Sequence, residues 1–390
     1  GKLDFSDAPV TLGIARPEQS RWGDFHGYID EVRLYDKALS ESEVAELKEL
    51  GKKGFTWFSY DKNGNVEWTE QQIPGLSGKK RISYTYNALG LPTHVKYEPK
   101  SGGEDLLDVW YEYDSHGRLV KVSTGDNGEI KEAELSYYAD GQVKEMNLGE
   151  DNAQSVDYDY DVRGWLTSIN NPDNLSEASG GFSKDRFAQK MNYLIDGNIN
   201  AVEWKVTPKL AGADDPEYFY HYDQAGRLIG ADFSNQEATT DYDVTYDYDK
   251  SGNILSLTRQ GNTSNNLVSY TYNYEIGTNR LESIQDDVSQ NTYGLNHDAS
   301  GNITKHDLKG LDEVIYDWRN LPTQMFMGNK ELRFAYDHNG QRVKKELVGG
   351  ATQYYVRGAD SKVWAVYDGD SNLLYFNLWA GERLIGRIEN

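Results

Sequence analysis

The chain lacks cysteine entirely, so it forms no disulfide, holds no thiolate metal site and has no cysteine nucleophile. Proline is scarce, at 9 of 390 residues. No apolar run in the sequence approaches the roughly 20 residues that a membrane-spanning helix needs. The missing cysteine does not identify a cellular compartment, but it removes the commonest covalent and metal-based ways of stabilising a fold.

Positive charge is also in short supply. Lysine and arginine number 40 against 63 aspartates and glutamates, which gives a formal net charge of -23. Phosphate backbones and anionic lipid headgroups both require a basic face on the protein. The composition therefore disfavours nucleic acid as a partner and gives no support for membrane insertion. No signal peptide is recognisable, and residue 1 is Gly rather than Met, so we expect a preceding segment in the parent protein.

Aromatic residues and glycine are abundant instead. Aromatics make up 13% of the chain, with 29 Tyr and 9 Trp, and there are 38 Gly. Disordered chains are poor in aromatics, whereas half-buried strands favour Tyr and Trp. Many tight turns need glycine at positive φ. We therefore predict an all-β protein, long enough for two or three ordinary domains or one large repetitive domain.

One short motif returns along the chain in the form Tyr-Asp-x-x-Gly-x-Leu. Its copies start at Tyr60, Tyr86, Tyr113, Tyr138, Tyr160, Tyr193, Tyr222, Tyr248, Tyr272, His297, Tyr316, Tyr336 and Tyr367. The copy at Tyr138, with the sequence YADGQV, is one residue short. Spacings between successive copies are often about 25 residues, and self-similarity at such a period is typical of a solenoid or propeller-like array.

Each position of the motif has a physical role. The Asp side chain is expected to accept hydrogen bonds from turn amides, and the Gly to take the left-handed conformation that closes a bulged turn. Alternating runs before the motif, such as VWYEYD at 109–114, predict strands with one Tyr-rich face. We predict these structural turn residues: Tyr60, Asp61, Gly64, Tyr113, Asp114, Gly117, Tyr160, Asp161, Gly164, Tyr222, Asp223, Gly226, Tyr248, Asp249, Gly252, Tyr336, Asp337 and Gly340.

The repeating unit is thus an antiparallel hairpin of roughly 20 to 30 residues that cannot bury its own apolar face and must stack on its neighbours. We expect Tyr rings of successive repeats to stack into a ladder that joins the units. The alternative use of such aromatic faces is sugar binding. The first interpretation is favoured because the Tyr occupies the same place in each unit.

Three longer stretches make the pattern specific: RGWLTSINNP (163–172), YNYEIGTNRLESI (272–284), and FAYDHNGQRVKK (334–345) followed by YYVRGADSKVWAVYD (354–368). Over roughly residues 59 to 390 the chain resembles the rearrangement-hotspot (RHS) or YD-repeat family. That family occurs in bacterial polymorphic toxins, in the shell subunits of insecticidal toxin complexes and in teneurins. The first stretch is similar to a segment common in YD proteins of Bacteroidetes-type bacteria.

The resemblance implies a fold, a YD-repeat antiparallel β-sheet spiral that forms part of a hollow shell. It implies a non-enzymatic, structural segment of a large secreted or cell-surface protein that encapsulates a C-terminal toxin or effector during export. The expected partners are this effector or other parts of the parent chain, with secretion machinery or an immunity protein as further partners. The alternative is a cell-surface adhesion module that binds glycans or proteins.

The self-cleaving Asp-Pro segment that ends the family's core cannot be assigned in this sequence. Its one Asp-Pro pair, Asp215-Pro216, lies in the middle of the array. No protease residues therefore carry over from the family, and no toxin domain is visible in the sequence.

Residues 1–50 differ from the array. FHGYIDEVRLY (25–35), followed by Ala38, Leu39 and Ser40, resembles the last part of a LamG or concanavalin-A-like β-sandwich. Ser40 and Glu43 fit a capping box for one short helix over about 41–49, which ends near Gly51. Fifty residues cannot complete such a sandwich, so we expect the chain to begin inside a domain. We predict a sandwich fragment at 1–50, a linker at 51–58 and the YD array at 59–390, and assign no sugar or calcium site.

The sequence gives only weak support for catalytic residues. The histidines fit repeat decoration: His116 and His338 in turns, His297 in place of the motif Tyr, His221 in a strand, and His26, His94 and His306 without a partner pattern. A hydrolase interpretation rests only on the abundance of acids, and no glycosidase pair can be located. DGDSN (368–372) resembles half a calcium loop, but Trp379 occupies the twelfth position, so we favour a plain turn over incidental Ca²⁺ binding. We expect no catalytic residue, cofactor or metal site.

Overall fold

The computed structural model describes residues 54–99, 105–172, 185–206, 216–234, 242–261 and 266–389. Within these ranges the chain forms 28 strands and a single short 3-10 helix, Asp307–Lys309. Every strand pairing there is antiparallel, so the prediction of an antiparallel all-β fold is confirmed. The predicted sandwich fragment at 1–50 and its helix lie outside the described residues, as does Asp215.

The first sheet has 20 strands. They are β1 Phe55–Tyr60, β2 Val66–Gln72, β3 Lys80–Tyr86, β4 Pro92–Pro99, β5 Leu107–Tyr113, β6 Leu119–Thr124, β7 Ile130–Tyr137, β8 Val143–Leu148, β9 Gln154–Tyr160, β10 Leu166–Ile169, β11 Phe187–Tyr193, β12 Ile199–Val206, β13 Glu217–Tyr222, β14 Leu228–Ser234, β15 Val244–Tyr248, β16 Ile254–Gln260, β17 Asn266–Tyr274, β18 Leu281–Asp286, β19 Asn291–His297 and β20 Ile303–His306.

The second sheet has eight strands. They are β21 Glu313–Tyr316, β22 Pro322–Met327, β23 Lys330–Tyr336, β24 Arg342–Leu347, β25 Thr352–Arg357, β26 Val363–Asp368, β27 Leu373–Ala380 and β28 Arg383–Glu389. Within each sheet, every strand pairs with the strands that precede and follow it in the chain. The topology is therefore a simple meander, which is the expected result of repeated local hairpins.

The predicted linker at 51–58 is partly wrong. Strand β1 begins at Phe55 and pairs with β2 from Phe55↔Gln72 onward. The sequence FTWFSY alternates large and small side chains at its start, and Phe55 stacks on Trp57 with ring centroids 5.6 Å apart. Aromatic residues in alternation favour strand over linker, so residues 55–58 belong to the first hairpin.

The core lies between the two sheets. Ile82, Val109 and Val122 from the early strands are at most 1% exposed, and they share one buried cluster with Val356 and Phe376 of the second sheet. In this cluster, strands β24–β28 pack against the face of strands β3–β9. Residues far apart in the sequence thus close one continuous apolar layer, as two half-buried sheets must do to hide their faces from water.

Candidate functional site

The turn that follows Tyr222 shows how the motif folds. Asp223 Oδ1 accepts hydrogen bonds from the amides of Ala225, at 2.9 Å, and Arg227, at 3.0 Å. The amide of Gly226 donates to the Asp223 carbonyl at 3.0 Å, and Gly226 has a φ of 75°. The strand register shifts by one residue at this turn, between His221 and Tyr222. One carboxylate and one left-handed glycine therefore close a bulged turn.

The other predicted turn residues have the same geometry. In each of these turns the Asp Oδ1 accepts the amides two and four residues later; the aspartates are Asp61, Asp114, Asp161, Asp249 and Asp337. Positive φ is found at the matching glycines Gly64, Gly117, Gly164, Gly252 and Gly340. The structure thus places the predicted Asp and Gly residues in equivalent positions of equivalent turns.

These hydrogen bonds favour the charged carboxylate. The amide of Arg118, with its guanidinium, lowers the pKa of Asp114 to about 2. The amide and guanidinium of Arg227 likewise lower the pKa of Asp223. A carboxylate that accepts several N–H donors is stabilised relative to its protonated form. The turns are therefore built around ionised aspartates.

The motif tyrosines join one repeat to the next through their hydroxyl groups. The hydroxyl of Tyr222 donates to the carbonyl of Ile199 at 2.8 Å, and that of Tyr248 donates to Leu228 at 2.7 Å. In each case the acceptor is the first residue of the strand that follows the previous turn. The equivalent bond is made by Tyr86, Tyr113, Tyr137, Tyr193, Tyr274, Tyr316 and Tyr336. We call the bonds made by these tyrosines the hydroxyl ladder.

The tyrosine rings do not stack from repeat to repeat as we expected. Stacked pairs of two tyrosines lie along single strands, as in Tyr84–Tyr86 and Tyr246–Tyr248, whose ring centroids are each 6.3 Å apart. Residues two apart on a strand share a face, which brings such rings together. The hydroxyl ladder, rather than a stack of rings, therefore connects the motif tyrosines to the neighbouring repeat. Three motif tyrosines depart from this pattern. Tyr60 and Tyr160 make no ladder bond to a described residue, and the hydroxyl of Tyr367 contacts that of Tyr97 in the other sheet.

Two motif positions predicted from the sequence are wrong by one or two residues. Tyr137, not Tyr138, donates to the carbonyl of Leu119 and occupies the Tyr position, so this copy has full length with Tyr138 in the Asp position. Tyr274, not Tyr272, donates to Ile254. Its turn is one residue longer than the others, because Tyr274 pairs with Leu281.

A long polar side chain beside the left-handed residue makes a second link between repeats, which the motif did not reveal. Arg227 follows Gly226, and its Nη1 donates to the carbonyl of Asp249 at 2.7 Å. Arg319 similarly donates through Nη1 to the carbonyl of Asp337 at 2.7 Å. In other turns an amide replaces the guanidinium, as where Asn253 Nδ2 donates to an Asn side chain of the next turn at 2.9 Å. The sequence contains part of the signal, a polar residue that recurs beside the left-handed position, but it does not identify the acceptor in the neighbouring turn.

One face of the first sheet is covered only in part. Tyr111, two residues before the motif Tyr113, is 8% exposed and lies in the buried cluster with the second sheet. Tyr272 has the equivalent position before Tyr274 but is only half-buried. Tyr220 and Tyr246 are half-buried in the same way. Strands β13, β15 and β17 thus present a Tyr-rich face. The second sheet covers the equivalent face of β5, but no described residue covers this one to the same extent.

The histidines and acids do not assemble a recognisable catalytic centre in the described part of the chain. His94 Nε2 lies 2.7 Å from Asp108 Oδ1, and its ring stacks on Trp110 at 3.8 Å. His221 pairs with Asp232 across a hairpin at 2.7 Å. Both pairs are cross-strand neighbours of the kind that stabilise sheets. No group of three or more His, Asp or Glu residues there could hold a metal ion.

The sequence that resembles half a calcium loop is another motif turn. Asp368 Oδ1 accepts the amides of Asp370 and Asn372, and its Oδ2 accepts from the Asn372 side chain. Ser371 takes the left-handed position, with a φ of 70°. Both carboxylate oxygens of Asp368 are thus used within the turn. Within the described ranges, no helix is long and apolar enough to cross a membrane.

Comparison with known proteins agrees with this geometry. The family model described as Teneurin YD-shell matches residues 26–180 and 182–376. The chain therefore belongs to the teneurin YD-shell family of RHS or YD-repeat proteins. The match begins inside the range 1–50 in which we predict a sandwich fragment, and that fragment stays a prediction.

Among solved structures the chain is similar to TcdB2-TccC3-TEV, with a TM-score of 0.48, 11% identity, and coverage of 84% of this chain and 23% of that chain. For TcdB2-TccC3-Cdc42 the TM-score is 0.47 at 12% identity, with the same coverage. For the Tc holotoxin pore of Photorhabdus luminescens the TM-score is 0.42 at 12% identity, with coverage of 84% and 22%. The chain thus spans about a quarter of the length of these chains. No curated protein sequence matches it.

Proposed function

We propose that this chain is a wall segment of a shell that encloses a C-terminal effector or toxin of the same parent protein during export and delivery. The observation that carries this proposal is the half-buried Tyr-rich face of strands β13, β15 and β17, over which the described residues place no second sheet. Because the wall acts by shape and exclusion, this function requires no catalytic residue. The rest of the enclosure would come from other parts of the parent chain, and the expected site of action is outside the producing cell.

The two halves of the first sheet differ in how deeply the equivalent face is buried, and this difference supports the proposal. Val109 and Ala133, on strands β5 and β7, are fully buried beneath the second sheet. On β17, Tyr270 and Tyr272 use the same face and remain half-buried. A row of half-exposed Tyr rings offers apolar area with hydroxyl groups at its edge, which suits contact with an incompletely folded polypeptide.

Site-specific crosslinking in the full-length parent protein tests the proposal. A photo-crosslinking phenylalanine derivative replaces Tyr246, on the Tyr-rich face, or Thr245, which is exposed on the opposite face. We expect position 246 to crosslink to the C-terminal segment and position 245 to remain free of that product, as read by mass spectrometry. Equal crosslinking from both positions, or none from position 246, would contradict the proposal.

A second function, adhesion to a partner protein at a cell surface, is favoured by the turn tips. Val162, Ile195, Ile276 and Trp318 each follow a motif Tyr by two residues, and all are at least 74% exposed. Exposed apolar groups arranged along one edge of a sheet are typical of interaction surfaces. We expect loss of cell binding when Val162→Ser and Ile276→Ser are combined, with Ser115→Ala, at the same position of another turn, as the control.

A further inference from the structure

A cavity of about 410 Å³ lies between the early strands of the first sheet and two turns of the second. Its walls are aromatic, with Tyr84 and Tyr111 on one side and Trp364 and Trp379 on the other. The size falls within the range of small-molecule sites, which combine apolar walls with a few polar groups. The shell function proposed above makes no use of this cavity.

Three charged residues, Asp360, Lys362 and Glu382, also line the cavity. Lys362 Nζ lies 2.8 Å from Glu382 Oε1 and 3.1 Å from Asp360 Oδ2. The side chain of Glu382 is 91% exposed, whereas that of Lys362 is only 14% exposed. The cavity therefore has an ammonium group held between two carboxylates, with one carboxylate facing the solvent.

Two polar groups of the lining have no hydrogen-bond partner among the residues that the structure describes. Tyr111 is only 8% exposed, and no hydrogen bond to its hydroxyl is found in the described part of the chain. The neighbouring Tyr113 hydroxyl, in contrast, donates to the carbonyl of Pro92 at 2.9 Å. Trp364, 2% exposed, also has an indole N–H without an acceptor among the described residues. Buried polar groups are usually paired, so an unpaired hydroxyl in the wall of a cavity points to a ligand.

The lining narrows the chemistry of that ligand. A purely apolar molecule would leave the Tyr111 hydroxyl unpaired. A cation would meet the Lys362 ammonium, and an anion would meet Asp360 and Glu382, so like charges oppose both. A neutral molecule with C–H faces and hydroxyl edges matches the aromatic walls, offers the Tyr111 hydroxyl a partner and brings no charge next to a like charge.

We propose that this cavity binds a neutral carbohydrate of one or two sugar rings. The rings of Tyr84 and Trp379 would contact the C–H faces of the sugar. The Tyr111 hydroxyl would donate to a sugar oxygen, and the Asp360 carboxylate would accept from a sugar hydroxyl. Sugar binding here is independent of the shell function, because the cavity lies in the part of the first sheet that the second sheet covers.

Saturation-transfer NMR and titration calorimetry on the full chain test the proposal, with D-glucose, D-galactose, N-acetyl-D-glucosamine, maltose and cellobiose as probes. We expect at least one sugar to bind saturably at millimolar concentration. Tyr111→Phe removes one hydroxyl and should weaken that binding about five- to tenfold, as loss of a neutral hydrogen bond does. Tyr272→Phe, at the equivalent position outside the cavity, should leave the binding unchanged.

Asp360→Asn is a second variant that keeps the shape of the site, and we expect it to weaken the same sugar by a similar factor. Failure of all five sugars to bind would overturn the proposal, as would equal sugar affinity in Tyr111→Phe and the unaltered chain. Binding of phenol or indole that displaces the sugar probes and is indifferent to Tyr111→Phe would show an apolar site instead. None of these outcomes changes the result expected from the crosslinking experiment on the Tyr-rich face, so the shell proposal is tested separately.

Discussion

Tyrosine is the side chain on which the array depends, because each ladder Tyr does two things. The ring of Tyr248 supplies half-buried apolar surface and stacks on Tyr246, while its hydroxyl donates to Leu228 in the previous repeat. Phenylalanine would retain the ring and lose the link. This contributes to the excess of tyrosine, with 29 Tyr against 11 Phe. The tyrosine count is therefore a consequence of repeat-to-repeat bonding as well as of strand propensity.

Removing one hydroxyl of the ladder should have a small, measurable effect. Tyr222→Phe and Tyr248→Phe should each lower the free energy of unfolding by about 1 kcal/mol, the usual net value of one neutral hydrogen bond. Urea denaturation followed by circular dichroism provides the measurement. Tyr60→Phe is the control, because Tyr60 is 59% exposed and makes no ladder bond within the described ranges. Equal losses in all three variants would mean that the hydroxyl ladder does not stabilise the array.

Turn glycines should be sensitive to substitution for reasons of backbone conformation alone. Gly252 has a φ of 92°, and a Cβ at this position would meet no atom within 4 Å. Gly252→Ala should therefore cost about 1 to 2 kcal/mol through the left-handed conformation and nothing through contact. A Cβ on Gly386 would also have open space, but its φ lies outside the left-handed region, so Gly386→Ala should be close to neutral. Thermal unfolding of the two variants should separate them, and identical behaviour would refute the backbone argument.

The motif turn is usually closed by an ionised aspartate carboxylate. In the YNALGLP copy Asn87 replaces the Asp, and its Oδ1 accepts the amides of Leu89 and Leu91 just as the aspartates do. An amide oxygen can thus fill the same place without a charge. The array therefore contains some turns with a carboxylate that titrates and at least one turn with an amide that does not.

The titrating turns should make the stability of the array depend on pH. The pKa of Asp114 is lowered from 3.8 to about 2 by the amide and guanidinium of Arg118. A lowered pKa in the folded state contributes stability above about pH 4 that is lost as the pH falls towards 2. Asp114→Asn should therefore be less stable than the unaltered chain at pH 6, and the difference should shrink by pH 2.5. Urea midpoints at the two pH values measure it.

The reciprocal variant serves as the control for this experiment. Asn87→Asp introduces a carboxylate at a position that is uncharged in the unaltered chain, so the stability of this variant relative to the unaltered chain should fall as the pH is lowered from 6 to 2.5. If both variants keep a constant difference from the unaltered chain across this range, the turn aspartates are not the titrating groups.

Hairpins and turns could be predicted from the sequence because their signals are local. Asp223 and Gly226 lie three residues apart, and the alternation before them marks a strand. The two motif copies whose Tyr position was predicted wrongly could not be located from local signals. Tyr272 and Tyr274 share a strand face, and only the contact of Tyr274 with Ile254 in the previous repeat distinguishes them. The hydrogen bond that Arg227 donates likewise depends on the position of the neighbouring turn, and the sequence around Arg227 does not specify that position.

Across the whole described array, the second sheet fastens onto the first through bonds between distant residues. The Tyr97 and Tyr367 hydroxyls are 2.7 Å apart, although 270 residues separate them. The amide of Arg357 donates to the Gln71 side chain at 2.8 Å. No local pattern encodes such pairs, since any of the amphipathic hairpins has a face that could be covered. The cavity wall at Tyr111 follows from the same long-range packing, which is why the carbohydrate site proposed above could not be predicted from sequence.

A double-mutant cycle at this junction tests whether it holds the two sheets together. Tyr97→Phe or Tyr367→Phe alone removes the bond and leaves the other buried hydroxyl without this partner, so each should cost about 1 to 3 kcal/mol. The double variant leaves neither hydroxyl, and its loss should be smaller than the two single losses together. Tyr355→Phe is the control partner, because its hydroxyl bonds to Gln353 in its own strand, at 3.0 Å, and its effect should add to that of Tyr97→Phe. Strict additivity for Tyr97 and Tyr367 in urea unfolding would show that their contact does not fasten the second sheet to the first.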